Sequence, residues 1–310
     1  MTLKQRDTVS EAIKNSPLPL YRYNTNSYRL RTFGADGQYP SANFERADAK
    51  YKVINGVPFL FTKNNYQAEE RSIGGGVENT VLSRREVKML SSLMCVNGLI
   101  STFSLRDNMS NSNVLNIPEE YLSDVKDGEI VEFMIEYWCI VRGGPPSSKG
   151  VFNFTPSDWA EREISLFYRN FKVSDLLLLR TCYLLIKASS MVENRNYFED
   201  AISSIFVGLE GVMMIMQRDD GEPYGGIRRA YQKAKFESLF NDNGQTYDFV
   251  MEEVFAYGEK RAALVHPQAG TDWGWVPPVV GEDYYDYRQI LRSLLYNSVT
   301  GSFYDPYKYR

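Results

Sequence analysis

The second half of the chain repeats apolar residues at helical spacing. Apolar positions at i, i+3, i+4 and i+7 are typical of amphipathic helices that bury one face. Six segments are predicted to be helical: one introduced by Thr155-Pro156-Ser157-Asp158, one following Ser174, one capped by Asn196 with Glu199, one over about 226–240, one over 247–265 and one over about 282–299. Short or polar loops join them. The pattern therefore predicts an antiparallel helical bundle over residues 151–310.

The first half of the chain consists of shorter segments rich in Tyr, Asn, Gly and Pro. Residues 57–62 have the composition of a short strand, and the stretch around Tyr28 and Leu30 fits either a strand or a loop. The sequence Ser83-Arg84-Arg85-Glu86 has the form of a capping box and predicts a helix through about Val96. These elements predict an α+β domain over residues 1–150.

Residues 129–142 fit two different structures. Their aromatic and β-branched residues favour a strand, whereas Glu129, Glu132 and Glu136 lie at helical spacing. Of the two, the composition leads us to expect a strand. The stretch over 143–148 that follows is rich in Gly, Pro and Ser, which predicts a linker or long turn before the helical half.

Length and composition limit the classes of function. The chain has 310 residues, the length of about two domains, and a net charge of -4, which argues against a broad basic coat for nucleic acid. It shows no apolar N-terminal segment and no apolar run of membrane length. Its three cysteines are widely separated and form no C-x-x-C pair, which argues against a structural zinc site. We therefore expect a cytoplasmic protein with no membrane partner, no metal and no other cofactor.

The candidate chemistry centres on the only histidine, His266. A single histidine excludes His-rich metal sites and two-histidine relays within one chain. Arg261 precedes His266 by five residues near the end of the predicted helix 247–265, a rotation of about 140° on an ideal helix. Pro267 disfavours the α conformation at the residue before it, so the imidazole of His266 can turn back towards Arg261.

An arginine beside a histidine suits phosphodiester chemistry. The guanidinium holds two phosphate oxygens in a fork, and the imidazole transfers protons near neutral pH. RNA supplies its own nucleophile, the 2′-hydroxyl, so cleavage by this route needs no metal. Because each chain has one histidine, a base and an acid of the same type require two chains. The active form is therefore expected to be a homodimer, or else a site in which water or another group takes the second proton.

The motif from Arg261 to His266 matches the R-x(4–6)-H pattern of the HEPN superfamily. On an earlier predicted helix, residues 207–212 resemble the "LE" helix of the Apea-like and abortive-infection-like branches. The resemblance covers about residues 170–300. It implies an HEPN-like bundle, dimerisation through the helical domain and metal-independent endoribonuclease activity on single-stranded or tRNA-like RNA. It also implies a setting in antiviral defence or a toxin-like system.

By resemblance, Arg261 and His266 are the catalytic pair, and Glu210 is an acid that orients one of them. The alternative for Glu210 is a structural ion pair, because an acid among apolar helix residues is costly unless it is paired. Two positions depart from the family pattern. Ala262 stands where many active members carry a polar residue, and Pro267 stands where many Apea-like members carry glycine.

The predicted RNA-binding residues are a basic run on the short helix over about 226–240 and the lysine directly before Arg261. They are cationic side chains that could contact phosphates: Arg228, Arg229, Lys233, Lys235 and Lys260. The alternative for the run over 228–235 is an ordinary solvated helix face. The acidic turn at 219–222 fits no EF-hand spacing and is interpreted as a polar turn. The rival to the nuclease is a non-catalytic HEPN scaffold for dimerisation or ligand binding, which Ala262 favours.

Overall fold

A computed structural model describes just over half of the chain. The described residues are 26–32, 39–40, 43–54, 57–64, 82–95, 114–142, 151–152, 158–192, 197–222, 229–240 and 281–303. They form two compact units. Unit 1 comprises Met1–Glu86 and Ser104–Thr155, and unit 2 comprises Val87–Phe103 and Pro156–Arg310. The junction at Thr155 lies close to the boundary that the sequence predicts near residue 150, whereas 87–103 groups with the second unit.

Unit 1 is built on an antiparallel sheet. Its strands are β1 (Ser27–Thr32), β3 (Phe44–Glu45), β4 (Ala49–Ile54), β5 (Val57–Asn64) and β6 (Val114–Pro118). The spatial order is β3-β4-β5-β1-β6, with β1 at Arg29 opposite Thr62 of β5 and Asn116 of β6. Two short strands, β2 (Tyr39–Pro40) and β7 (Val151–Phe152), pair in parallel outside this sheet. The prediction of a strand at 57–62 is confirmed, and the stretch around Tyr28 is a strand.

The helix α2 (Ile130–Arg142) covers one face of the sheet. Its apolar side chains join a core with Tyr28, Leu30, Phe59 and Phe61 from the strands. The prediction of a strand over 129–142 is therefore wrong. The helical spacing of the acids was the decisive signal, because Glu132 and Glu136 lie exposed while the aromatic residues pack on the sheet.

The helix α1 (Arg84–Cys95) begins with the predicted capping box. The backbone N–H of Ser83 donates to Glu86 Oε2 at 2.7 Å, and the backbone N–H of Glu86 donates to Ser83 Oγ at 3.2 Å. Both orphan donors at the helix start are thus satisfied, as the sequence predicts.

Unit 2 is helical in its described part. Its further helices are α3 (Asp158–Asn170), α4 (Leu176–Met191), α5 (Phe198–Asp219), α6 (Arg229–Phe240) and α7 (Gly281–Thr300). The helices predicted after Ser174, over 226–240 and over 282–299 are confirmed, and Gly301 ends α7 with a φ of 74°. The cap of α5 differs from the prediction, because Tyr197 occupies the N-cap position and makes no side-chain capping bond. The predicted helix 247–265, the 143–148 linker and the cap at 155–157 lie outside the described residues.

Contacts between the helices of unit 2 fix their directions. Asp175 at the start of α4 accepts a hydrogen bond from Arg218 near the end of α5 at 2.7 Å, so these two helices are antiparallel. Phe198 and Phe206 of α5 contact Tyr284 and Tyr287 of α7 in the same order, so α5 and α7 run in the same direction.

The chain thus combines an N-terminal antiparallel sheet with several helices, which is an α+β architecture. Among the described residues, none of the helices has both the length and the apolar character needed to cross a membrane.

Candidate functional site

The predicted catalytic pair, Arg261 and His266, lies outside the described residues, as does Lys260. The described residues do fix both ends of the segment that carries them. Phe240, the last residue of α6, packs its ring against Phe303 just beyond α7, with ring centroids 4.8 Å apart. The chain re-enters the described part at Gly281, where α7 starts beside α5. The segment 241–280 therefore connects opposite ends of α7, which are about 30 Å apart.

Glu210 lies on the one partly open face of α5. Between residues 201 and 217 most side chains are buried, and those that are not recur at helical spacing: Ser203, Val207, Glu210 and Met214. A carboxylate at this position is half-buried. Glu210 was interpreted either as an acid that orients a catalytic residue or as a member of a structural ion pair. Both roles fit a carboxylate on this face, so its position supports them equally.

Two glycines flank Glu210 and explain how closely α5 packs. A Cβ at Gly208 would lie 2.7 Å from Leu291 Cδ2 of α7, and a Cβ at Gly211 would overlap Thr181 Oγ1 of α4. Leu209 between them is buried. The stretch 207–212, which carries the family resemblance, thus has a clear packing role between two neighbouring helices.

The basic run is engaged in ion pairs where the structure describes its side chains. Lys235 Nζ and the Tyr231 hydroxyl each donate to Asp220 Oδ2 at 2.7 Å. Lys233 Nζ lies 4.0 Å from Glu237 Oε1 and its side chain is 61% exposed. Arg228 lies outside the described residues, and Arg229 is described only as the first residue of α6.

These contacts attach α6 to the end of α5. Burial raises the pKa of Tyr231, and its hydrogen bond to Asp220 raises that pKa further, so the hydroxyl stays protonated and donates. Burial also acts to raise the pKa of Asp220, but the bonds from Lys235 and Tyr231 outweigh it and lower that pKa. Asp220 belongs to the predicted polar turn, which the structure confirms with Gly221 at a φ of 76°. RNA binding by Lys233 and Lys235 stays a prediction.

Sequence reasoning missed a buried ion cluster in unit 1. Arg31 donates through Nε to Glu86 Oε1 at 2.7 Å and through its Nη2 to Glu86 Oε2 at 3.4 Å, and Arg29 Nε lies 3.4 Å from the same Oε2. Arg31 and Glu86 are both 0% exposed. Burial opposes ionisation of Glu86, yet the two guanidiniums and Ser83 hold its pKa below the usual value. The alternation of polar and apolar residues in β1 was the available signal.

A second missed feature is the pair of arginines on α7. Arg288 and Arg292 lie one turn apart and are both buried, and Arg292 Nη1 donates to Gln289 Oε1 at 2.8 Å. Burial, and then the repulsion from Arg288, lower the pKa of Arg292 to about 9. A sequence pattern assigns arginines to the solvent-exposed face of a helix. Because α7 is buried on nearly all of its described sides, this assignment fails for Arg288 and Arg292.

The described residues hold no group of three or more His, Cys, Asp or Glu side chains suited to a metal ion. No protein-family model, curated protein or solved structure matches the chain. The resemblance to the HEPN superfamily therefore stays a prediction from the sequence features at 207–212 and 261–266.

Proposed function

We propose that the chain is a metal-independent endoribonuclease of HEPN type, with Arg261 and His266 as its catalytic residues. The observation that carries the proposal is the R-x4-H motif, which contains the only histidine of the chain and is followed directly by Pro267. Glu210, the supporting acid by resemblance, is half-buried on α5.

The proposed reaction is an attack by the RNA 2′-hydroxyl on the adjacent phosphorus. An imidazole removes the 2′-hydroxyl proton as the O2′–P bond forms, and the P–O5′ bond breaks as the leaving oxygen receives a proton. Arg261 stabilises the charge on the non-bridging phosphate oxygens. The products are a 2′,3′-cyclic phosphate and a 5′-hydroxyl end. Two copies of His266, one from each protomer of a homodimer, supply base and acid.

The test is RNA cleavage by the purified protein in EDTA. Single-stranded RNA and total tRNA are incubated with wild type, His266→Ala and Arg261→Ala. Arg180→Ala is a matched control, because Arg180 is an exposed arginine on α4, distant in sequence from the motif. We expect cleavage by wild type and the control, and a loss of at least about a hundredfold in both motif variants. Cleavage that both motif variants retain would contradict the proposal.

Glu210 is a positioning residue in this proposal, and its role has its own readout. Glu210→Gln is expected to change the pH–rate profile of cleavage, because in this proposal the Glu210 carboxylate orients Arg261 or His266 and the substitution removes its charge. Glu199→Gln, an exposed acid in the first turn of the same helix, is the control. An unchanged pH profile with lowered stability would assign Glu210 to packing alone.

The second candidate function is a non-catalytic HEPN scaffold, which Ala262 favours. It predicts an intact dimer that cleaves none of these RNAs with or without EDTA. A metal-dependent nuclease predicts instead that EDTA abolishes cleavage. In the nuclease model, residues 1–150 sense a trigger or select the substrate.

A further inference from the structure

Two donors of α6 converge on one carboxylate oxygen at the end of α5. Lys235 Nζ and the Tyr231 hydroxyl each donate to Asp220 Oδ2 at 2.7 Å. The two donors are four residues apart on one helix, so their side chains lie next to each other on one face of α6. A cation and a hydroxyl that meet at a single anionic oxygen also suit an oxygen of a phosphate group.

This contact lies at the protein surface, where a large polyanion can reach it. The side chain of Asp220 is 40% exposed and that of Lys235 is 22% exposed. An ion pair with this exposure is weak, so the need to break it lowers the association constant of a competing anion by about fivefold at most. The pair therefore reduces the affinity of Lys235 for another anion without preventing its binding.

Asp220 can leave the two donors without disturbing the core of unit 2. It belongs to the turn over 218–222, in which every residue is exposed, and Gly221 of this turn has a φ of 76°. A carboxylate displaced from Lys235 therefore enters solvent. No buried charge loses its partner in this step, so the exchange of one anion for another at Lys235 has a small cost.

From this arrangement, we propose that Tyr231 and Lys235 bind a phosphate oxygen of RNA, and that Asp220 occupies their site as an autoinhibitory carboxylate in the RNA-free protein. The inference rests on the proposed function in taking RNA as the partner, but it concerns binding and requires no cleavage. RNA contacts several cations at once and so displaces Asp220, whereas a single phosphate ion gains too little from one contact.

The decisive variant is Asp220→Asn, which keeps the size of the side chain and removes its charge. Binding to the full chain is measured by fluorescence anisotropy of a labelled single-stranded 2′-O-methyl RNA, which lacks the attacking hydroxyl. Asp220→Asn should bind this RNA about three- to fivefold more tightly than wild type. Its salt dependence should be steeper by about one counterion, because Lys235 no longer exchanges a carboxylate for the phosphate.

Asp219→Asn is the matched control. It removes the same charge at the neighbouring position, where the carboxylate pairs with Arg218 at 2.9 Å and not with Lys235. Because exposed charges are screened by salt, this variant should change the RNA affinity by less than about twofold. Lys235→Gln completes a double-mutant cycle, and in its presence Asp220→Asn should bring no further gain in affinity.

The proposal is overturned if no variant binds the RNA, or if equimolar inorganic phosphate displaces it. Equal gains in Asp220→Asn and Asp219→Asn would reveal only a general charge effect and would also overturn it. Weaker or unchanged binding by Asp220→Asn would show that Asp220 only holds α6 in place, and a gain that persists with Lys235→Gln would place the effect elsewhere. Absence of RNA cleavage by wild type, with the expected binding pattern intact, would contradict the nuclease alone.

Discussion

The starts of α1 and α4 use the same device at different depths. In each, a carboxylate accepts backbone N–H at the helix start, from Ser83 in α1 and from Leu177 and Leu178 in α4, and pairs with an arginine from a distant element. Glu86 is fully buried and forms ion pairs with both Arg31 and Arg29. Asp175 is half-buried and forms an ion pair with Arg218, whose side chain is 40% exposed. Because the two pairs use the same contacts but differ in burial, we expect the loss of a partner to cost more stability at Glu86 than at Asp175.

The largest effect is expected from Glu86→Gln. The change leaves Arg31 and Arg29 buried without the carboxylate charge, which should lower the free energy of unfolding by about 3–5 kcal/mol. The loss in free energy of unfolding is measured by urea titration, with hydrogen exchange of the β1 and β5 amides as the readout. Glu132→Gln is the control, because Glu132 pairs with Lys52 at 2.6 Å but is 58% exposed, and it should cost less than about 1 kcal/mol. Equal losses in the two variants would break the comparison.

A smaller effect is expected at Asp175, and two substitutions separate its roles. Asp175→Ala removes both the cap on Leu177 and Leu178 and the pair with Arg218, at a cost of about 1–2 kcal/mol. Asp175→Asn keeps an oxygen for the cap and loses only the charge, so it should cost less than about 1 kcal/mol. Urea unfolding of unit 2 gives both values. A loss for Asp175→Asn as large as that for Glu86→Gln would mean that exposure does not weaken the pair.

The smallest expected effect is on the pH dependence of unit 2. Burial acts to raise the pKa of Asp175, but the bonds from Arg218 and the backbone outweigh it and lower that pKa below its ordinary value of 3.8. Because the folded-state pKa is lowered, this stabilisation is complete above pH 3.8 and is lost as the pH falls through the folded-state pKa. Asp175→Asn should therefore flatten the fall in stability of unit 2 below about pH 4. The same slope in wild type and variant would contradict this assignment.

The sequence indicated the local capping contacts at these two helix starts, but it did not indicate their arginine partners from distant elements. Ser83 and Glu86 form a capping box that is visible in four consecutive residues. The partner of Glu86, Arg31, lies 55 positions away, and only the sheet register brings it to the helix start. Likewise, the helix after Ser174 was predictable from its leucines, whereas the bond from Arg218 depends on how α5 returns along α4.

The wrong expectation for α2 has a related cause. Its aromatic and β-branched residues suggested a strand because they are common on pleated surfaces. In the fold, Phe133, Met134 and Trp138 pack on such a surface from a helix instead. The composition of this segment reflects the sheet on which it packs. Only the spacing of Glu132 and Glu136 indicated that the segment itself is a helix.

The position of α7 in unit 2 has a consequence for synthesis of the chain on the ribosome. This helix is buried on nearly every side and packs on α3, α4 and α5, yet it is the last helix of the described part to be translated. Until residue 300 leaves the exit tunnel, the apolar faces of α3, α4 and α5 that pack on α7 stay exposed. Unit 2 therefore completes its fold late, and nascent chains that stop before α7 should be substrates for chaperones and proteases.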